Sequence, residues 1–364
     1  MSGKNIFVAA TGQNVGKTTT CLGMFAKLQN LDMNAGFIKP VGQRYLDVEE
    51  CRVDEDSFLI YKTFGLDCEL QDMNPVTVPR GFTEKYIDGG HRGWIPKAIR
   101  DAYDRISANR SFTLIEGTGH AGVGSVFDAS NSHVAKMLDA KVIIVTDGGI
   151  GSAIDELTLN KQLFDAQGVE VLGVIVNKVY AEKYDKIADY ARRGLERQGM
   201  RLLGVFPYEA TLKAPTMNQM CQRLDGEFLA GKELGNNQAE NIIVGAMAVG
   251  NFLRHIREST LVITPGDRED IILGALSWNL SESSQKNQIS GLILTGNQRP
   301  AGFVNRVIRK SNVPVFQTRL DSFQTASRVH DMTVKIQVTD QSKIARSQYL
   351  FEQYADFDYI MENC

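Results

Sequence analysis

Residues 6–20 read IFVAATGQNVGKTTT, and this stretch decides the fold that we predict. Its first five residues are apolar and predict a buried strand, and apolar residues recur at helical spacing between 19 and 29. A strand, a glycine-containing turn and a helix start, in this order, form a phosphate-binding loop, whose backbone N–H groups surround an anion. The alternative is an ordinary glycine turn before a helix that carries a lysine.

The loop also predicts roles for single residues. Thr11 occupies the place of the first glycine in the pattern G-x-x-x-x-G-K-[ST]. Lys17 is the predicted counter-charge of the phosphates, and the Thr18 hydroxyl is a predicted Mg²⁺ ligand. The predicted cofactor-binding residues of this stretch are Thr11, Gly12, Asn14, Val15, Gly16, Lys17, Thr18 and Thr19.

Length and composition exclude several classes of protein. A chain of 364 residues favours two domains, and a formal net charge of −3 argues against non-specific nucleic-acid binding. We find neither an apolar segment of about 20 residues nor a signal peptide, which predicts a cytosolic protein without a membrane anchor. The five cysteines form no C-x-x-C pair, so neither a disulfide framework nor a zinc site is expected.

Apolar strands alternate with amphipathic helices as far as residue 208. This order predicts an α/β fold with a doubly wound, mostly parallel sheet of the P-loop NTPase type. A change of composition after residue 210 indicates a second, smaller α/β domain. We predict domains at 1–210 and 211–335, and a C-terminal helix with a short aromatic tail at 336–364. Within the second domain we expect a helix over 241–253.

Two predicted strands deliver charged residues at their carboxyl ends. Lys39 follows the strand 35–38, and Glu116 follows the strand 112–115. Because ligands bind at this edge of doubly wound sheets, we predict Lys39 as a second cation beside the phosphates and Glu116 as a metal ligand. A solvated lysine and a simple strand-end turn are the alternatives.

Other polar residues have two alternative roles or a structural one. Asn177 and Lys178 end a further strand and are also predicted cofactor-binding residues. The side-chain amide of Asn177 can satisfy both the donor and the acceptor edge of a purine, or it serves only a turn. The acids at 54–56 precede a helix, and capping is a sufficient explanation for them. The glycine-rich stretch 81–93 is predicted to close over an acceptor. His120 and His133 are interpreted mainly as packing or loop residues.

Four motifs together resemble the dethiobiotin synthetase-like ATPases, which share their P-loop class with cobyrinic acid a,c-diamide synthase, CTP synthetase and MinD-type ATPases. The resemblance covers about residues 1–210. The motifs are Thr11 to Thr18, Lys39-Pro40-Val41, Glu116-Gly117-Thr118-Gly119 and Asn177-Lys178-Val179.

The resemblance implies a ligand set for Mg-ATP. Lys17 and Lys39 correspond to the lysines on the phosphates, and Asn177 to the residue that reads adenine. The metal ligands would be Thr18, Glu116 and either Asp54 or Asp56, between which the spacing does not choose. Lys17, Lys39 and Glu116 are therefore the predicted catalytic residues.

Two departures fall on the substrate side of this family's site. Gln43 stands where the family has a small hydroxyl residue, and the acid motif continues Gly-Thr-Gly-His instead of Gly-Ala-Gly-Gly. They argue against diaminopelargonic acid as the substrate.

The second domain resembles a DRTGG domain, although the signature is incomplete at 267–270 and 296–297. The pairing of the two domains is similar to the N-terminal region of long bacterial phosphotransacetylases. Since the chain ends at Cys364, we expect the catalytic acetyltransferase domain to be absent.

These observations lead to two hypotheses. The first is an Mg-ATP-dependent ATPase or a synthetase/ligase-like enzyme that passes the γ-phosphoryl group to water or to a small carboxylate or amine. The second is a regulatory module that senses a nucleotide. The expected partners are a nucleotide, an unidentified small-molecule acceptor and a second copy of the chain, with neither nucleic acid nor a membrane.

Overall fold

The structure is a computed structural model that describes residues 3–48, 51–89, 93–281, 289–332 and 334–364. It contains two compact units, one formed by Met1–Glu209 together with Ile336–Cys364 and the other by Ala210–Lys335. The C-terminal segment therefore belongs to the first unit.

A parallel sheet forms the centre of the first unit. The strands of this unit are β1 (Lys4–Ala10), β2 (Ala35–Ile38), β3 (Val41–Gly42), β4 (Tyr45–Val48), β5 (Cys51–Asp54), β6 (Val76–Thr77), β7 (Phe112–Glu116), β8 (Lys141–Asp147), β9 (Val171–Val179) and β10 (Leu202–Pro207). Six of them pair in the order β10-β9-β8-β1-β7-β2, and every pair is parallel. The side chains of residues 6–10 in β1 are fully buried, which is why this strand is continuously apolar. The predicted doubly wound sheet is confirmed.

Helices connect these strands. Those before residue 200 are α1 (Lys17–Asn30), α2 (Glu55–Phe64), α3 (Leu70–Met73), α4 (Phe82–Ile87), α5 (Trp94–Ser107), α6 (Asn131–Met137), α7 (Gly151–Ala166) and α8 (Tyr184–Arg197). The chain runs from β1 to β2 and β7 on one side and then to β8, β9 and β10 on the other. Ligands bind beyond the carboxyl ends of the strands where the strand order diverges in this way.

The predicted glycine-rich loop is partly wrong. Residues 68–89 contain β6 and the short helices α3 and α4, and residues 90–92 of the proposed closing loop lie outside the described residues. The ring of Phe82 in α4 lies 5.6 Å from that of Phe127, with the ring planes at 88°, and 6.5 Å from that of Trp94. Packing between aromatic rings therefore orders this segment. The glycine content of the sequence gives no sign of this packing.

The second unit is an α/β domain with its own core. Its strands are β11 (Glu227–Ala230), β12 (Asn241–Val244), β13 (Thr260–Pro265), β14 (Gly291–Thr295) and β15 (Val315–Gln317), in the order β11-β15-β14-β13-β12. Its helices are α9 (Ala210–Lys213), α10 (Met217–Arg223), α11 (Val249–Leu253), α12 (Glu269–Ser281), α13 (Gly302–Lys310) and α14 (Ser322–His330). Strands β12 to β15 are parallel, and β11 is antiparallel to β15.

The predicted helix over 241–253 is wrong. Residues 241–244 form β12, an edge strand paired with β13, and only residues 249–253 are helical. Ile242, Ile243 and Val244 are β-branched and fit a strand better than a helix. Gly245 ends the strand where a Cβ would lie 2.7 Å from the side chain of Ile271.

Two further helices at the C-terminus, α15 (Gln341–Tyr354) and α16 (Phe357–Asn363), belong to the first unit. The predicted aromatic tail is therefore wrong, because the side chain of Asp356 caps α16 by accepting from Tyr359 N. A Cβ on Gly23 of α1 would lie 2.1 Å from Cβ of Phe351 in α15. The absence of a side chain at Gly23 lets α15 pack directly on the helix that follows the loop.

Among the described residues, no helix is long and apolar enough to cross a lipid bilayer. All five cysteines are free thiols.

Candidate nucleotide-binding site

The loop between β1 and α1 has the backbone conformation of a tight phosphate-binding turn. Asn14 and Gly16 adopt positive φ angles of 57° and 121°. A side chain at Gly16 is excluded, because its Cβ would lie 2.0 Å from Nδ2 of Asn177. The N-cap residue of helix α1 is Gly16, which makes no side-chain cap hydrogen bond, and an anion can therefore bind to the backbone N–H groups at this helix end.

The first residue of the loop is held by the neighbouring strand β8. Thr11 donates its N–H to the carbonyl of Val145 over 3.0 Å, and its hydroxyl lies 3.2 Å from that of Thr146 at the end of β8. The threonine in place of the first glycine thus has a structural partner. Val15 and Thr19 are buried on the inner side of the loop and helix.

The side chain of Lys17 bends over the loop that precedes it. Its Nζ donates to the carbonyl oxygens of Gly12 over 3.0 Å and of Gly119 over 3.5 Å, and the residue is 8% exposed. Burial lowers the pKa of Lys17 to about 8, partly opposed by the negative charge of Glu116. The ammonium thus lies at the loop, where it donates to two backbone carbonyl groups.

Glu116 connects the loop to the end of β7. Its Oε1 accepts from the Thr18 hydroxyl over 3.1 Å and from Lys39 Nζ over 3.3 Å. Its Oε2 is buried and has no hydrogen-bond partner among the described residues. Burial raises the pKa of Glu116, against the attraction of Lys39. The thiol of Cys21 on α1 also has a raised pKa, from burial and then from the Glu116 charge.

Lys39 lies among three buried carboxylates. Its Nζ lies 2.9 Å from Oδ1 of Asp54 and 3.3 Å from Oε1 of Glu116, and it also donates to Oδ2 of Asp56. These charges raise the pKa of Lys39 well above its usual range although burial opposes them, so the lysine is an ammonium. The alternative of a solvated strand-end lysine is wrong, since Lys39 is 5% exposed.

The structure brings both candidate aspartates to the site. Asp54 caps α2 by accepting from Asp56 N over 3.0 Å, and its own N–H donates to Oδ1 of Asn74. Asn74 in turn donates to the carbonyl of Lys39 over 2.8 Å. Asn74 is not among the predicted site residues, because a single asparagine before a proline carries no recognisable pattern.

Asn177 is attached to the loop. Its Nδ2 donates to the carbonyl of Val15 over 2.8 Å, and its Oδ1 accepts from Lys178 N over 2.9 Å. Lys178 Nζ donates to the carbonyl of Asn14 and lies 2.9 Å from Oδ1 of Asp147. One donor and one lone pair of the Asn177 amide remain, so its role in reading adenine stays a prediction.

Two residues that depart from the family pattern, Thr118 and Gln43, form hydrogen bonds within the chain. The hydroxyl of Thr118 donates to the carbonyl of Val41, and Thr118 N donates to Oδ1 of Asn131 over 3.1 Å. On the surface, Nε2 of Gln13 donates to Oε1 of Gln43 over 3.3 Å. The two contacts of Thr118 hold the loop after β7, and the contact of Gln13 with Gln43 joins the loop after β1 to the residue after β3.

The two histidines take part in local contacts. Nδ1 of His120 accepts from Gly122 N over 3.2 Å. His133 is exposed on α6, and its N–H donates to the Ser130 hydroxyl over 3.2 Å. His120 is a loop residue, as interpreted, whereas His133 is an exposed helix residue and neither packs in the core nor lies in a loop.

Two family models match the chain. The model of the AAA domain matches residues 4–216, and that of the DRTGG domain matches residues 219–332. The segment Ile336–Cys364 of the first unit lies outside both matches.

Curated relatives are phosphate acetyltransferases. The chain is 28% identical to that of Pseudomonas aeruginosa over 98% of its length, and 29% identical to that of Nitratidesulfovibrio vulgaris over 97%. These alignments cover 52% and 50% of the relatives, so the chain spans about half the length of the curated relatives it matches. Among solved structures, MinD of Pyrococcus horikoshii with Mg-ADP is 17% identical, with a TM-score of 0.38, over 58% of this chain and 83% of that chain.

Proposed function

The chain belongs to the AAA domain family, and from this premise we propose that its first unit binds Mg-ATP and hydrolyses it, or uses it to activate a small carboxylate or amine. One observation carries the proposal. Lys17 and Thr18 after β1, Lys39 after β2 and Glu116 at the end of β7 lie together at the carboxyl edge of three adjacent strands. Phosphoryl transfer requires such positioned charges more than a covalent participant.

The donor set supports a magnesium ion. Among the described residues, no group of three or more His, Cys, Asp or Glu side chains is arranged as a complete metal site. Magnesium does not require one, since it is usually bound by one or two carboxylates, a substrate phosphate and water. Glu116, whose Oε2 has no partner among the described residues, and the Thr18 hydroxyl would hold it together with one aspartate. When bound, the ion would neutralise charge on the β- and γ-phosphates.

Asp56 is the aspartate that we propose for the metal. The two carboxylate oxygens of Asp54 accept from Asp56 N and Arg44 N. The charges of both aspartates act on Glu116, and that of Asp56 acts on Lys17 as well. Lys17 would hold the phosphates, and Lys39 would stabilise charge on the γ-phosphoryl group in transfer.

The alternative is a nucleotide-sensing module without a small-molecule product. The internal hydrogen bonds of Thr118 and Gln43 favour it, because these substrate-side groups already have partners within the chain. The relatives favour it too: the chain would correspond to the half of a phosphate acetyltransferase that it matches.

Ligand binding and turnover test the proposal directly. We expect saturating Mg-ATP to raise the Tm of the first unit by about 5–10 °C, since a ligand at 100 times its Kd stabilises a fold by about 2.7 kcal/mol. Phosphate release without an acceptor would support hydrolysis, and release only with a carboxylate or amine would support the synthetase. Binding without either would support the sensor, and the absence of a Tm shift would contradict all three.

Asn177→Ala tests whether this residue anchors the loop or reads the base. We expect the affinities for Mg-ATP, Mg-GTP and inorganic triphosphate to fall together, by roughly tenfold, because the loop loses a buried hydrogen bond worth about 1–3 kcal/mol. Isothermal titration calorimetry with the three ligands measures this. A loss confined to Mg-ATP would show instead that Asn177 reads adenine.

We also propose that the protein acts in the cytosol as a homodimer. Light scattering of the purified chain, with and without Mg-ATP, tests the assembly, and a monomer under both conditions would contradict it.

A further inference from the structure

The position of Lys39 among the acids has a consequence for metal binding. The three carboxylates that contact Lys39 Nζ have side-chain exposures of 0–5%, and the Lys39 side chain is 6% exposed. A buried charge is tolerated only when it is paired, so three carboxylates at this place require a cation. In this structure the cation is the lysine ammonium.

The backbone of Lys39 is fixed on both sides. Its N–H donates to the carbonyl of Met73 over 2.7 Å, and its carbonyl accepts from Asn74 over 2.8 Å. Pro40, which follows, restricts the backbone further. Any change of partner by Lys39 is therefore a movement of the side chain alone.

A phosphate on the loop would lie within reach of that side chain. Lys39 Nζ and the Thr18 hydroxyl contact the same atom, Oε1 of Glu116, over 3.3 and 3.1 Å. Thr18 is in the first turn of α1, where a phosphate would bind. A nucleotide bound there would offer Lys39 new anionic partners without moving its backbone.

From these contacts we propose that Lys39 is a built-in counter-ion that excludes divalent cations from the site until a nucleotide binds. The ammonium repels a second cation while it lies between the carboxylates. A nucleotide phosphate draws Lys39 away, and the carboxylates then accept the metal. The site would thus take up metal only together with a nucleotide. This inference rests on the proposed function and concerns how the same site is regulated.

The test measures Mn²⁺ binding by electron paramagnetic resonance, with no turnover required. We expect wild-type protein without nucleotide to retain no Mn²⁺, and protein with ADP to retain one ion. Lys39→Gln should bind Mn²⁺ without nucleotide at least about 100-fold more tightly than wild type, because one positive charge is removed at contact distance. Lys97→Gln, which changes an exposed lysine on α5, should behave as wild type.

A double variant and the wild type show whether the added Mn²⁺ is bound by these carboxylates. The double variant Lys39→Gln/Glu116→Gln should lose the gained Mn²⁺ affinity, which assigns it to these carboxylates. Nucleotide-free wild type that retains Mn²⁺, or a folded Lys39→Gln without a gain, would overturn the inference. If Lys39→Gln does not fold, the wild-type measurement still decides. The proposed function, by contrast, would be contradicted if wild type bound neither ADP nor ATP and took up no Mn²⁺ in the presence of either nucleotide.

Discussion

Lys17→Ala is expected to reduce the affinity for Mg-ATP by at least about 100-fold, the loss that follows from removing charge-assisted hydrogen bonds worth about 3 kcal/mol. The ammonium already lies at the loop, 3.0 Å from the Gly12 carbonyl. Its pKa of about 8 keeps it mostly charged at neutral pH. Any phosphate release should fall by roughly 10²–10³-fold, since the same charge acts on the transferring group. Calorimetry and a phosphate-release assay measure the two effects.

Lys27→Ala is the matched control for this variant. Lys27 is on the same helix, about 15 Å along its axis from Lys17, and forms a surface pair with Glu352 over 3.5 Å. It should bind Mg-ATP as wild type does. Lys17→Ala should fold, because alanine removes the free-energy cost of burying the Lys17 charge. Lys27→Ala should fold because the Lys27 side chain is partly exposed. Unchanged Mg-ATP binding by Lys17→Ala would rule out the phosphate-binding role of the loop.

Phe351→Ala is expected to have the largest effect on stability, a loss of about 3–5 kcal/mol from truncating a buried aromatic ring. Phe351 is fully buried, and its ring lies 6.3 Å from that of Phe206 in β10 and 6.0 Å from that of Phe357 in α16. Its Cβ packs over Gly23 of α1. The Tm of the first unit should fall by roughly 10 °C, as measured by calorimetry.

Gln353→Ala provides the control within α15, because Gln353 is exposed. This variant should change the free energy of unfolding by no more than about 0.5 kcal/mol, so that the Tm stays close to that of wild type. A Phe351→Ala variant as stable as Gln353→Ala would show that α15 does not contribute to the core of the first unit. Since α15 packs on the helix that carries Lys17, bound Mg-ATP should recover part of the lost Tm.

Prediction from sequence succeeded where a pattern is local. The strand, loop and helix start at residues 6–20 lie within one continuous stretch, and strand ends place Lys39 and Glu116 by their position alone. Prediction failed at 241–253, where apolar residues at helical spacing include the β-branched residues of an edge strand. There, pairing with β13, which is distant in sequence, decides the outcome.

The sequence by itself determined the first unit's fold class, the phosphate-binding loop and the strand ends that carry charges, because strand and helix periodicity and turn residues act over a few neighbours. Only the tertiary structure decided that Lys39 pairs with both aspartates and Glu116, that Asn177 holds the loop, and that α15 completes the first unit. Lys39 and Glu116 are 77 positions apart, and Asn177 and Val15 are 162 apart. No local pattern encodes which side chains meet over such separations, since the packing of the whole sheet sets their distances.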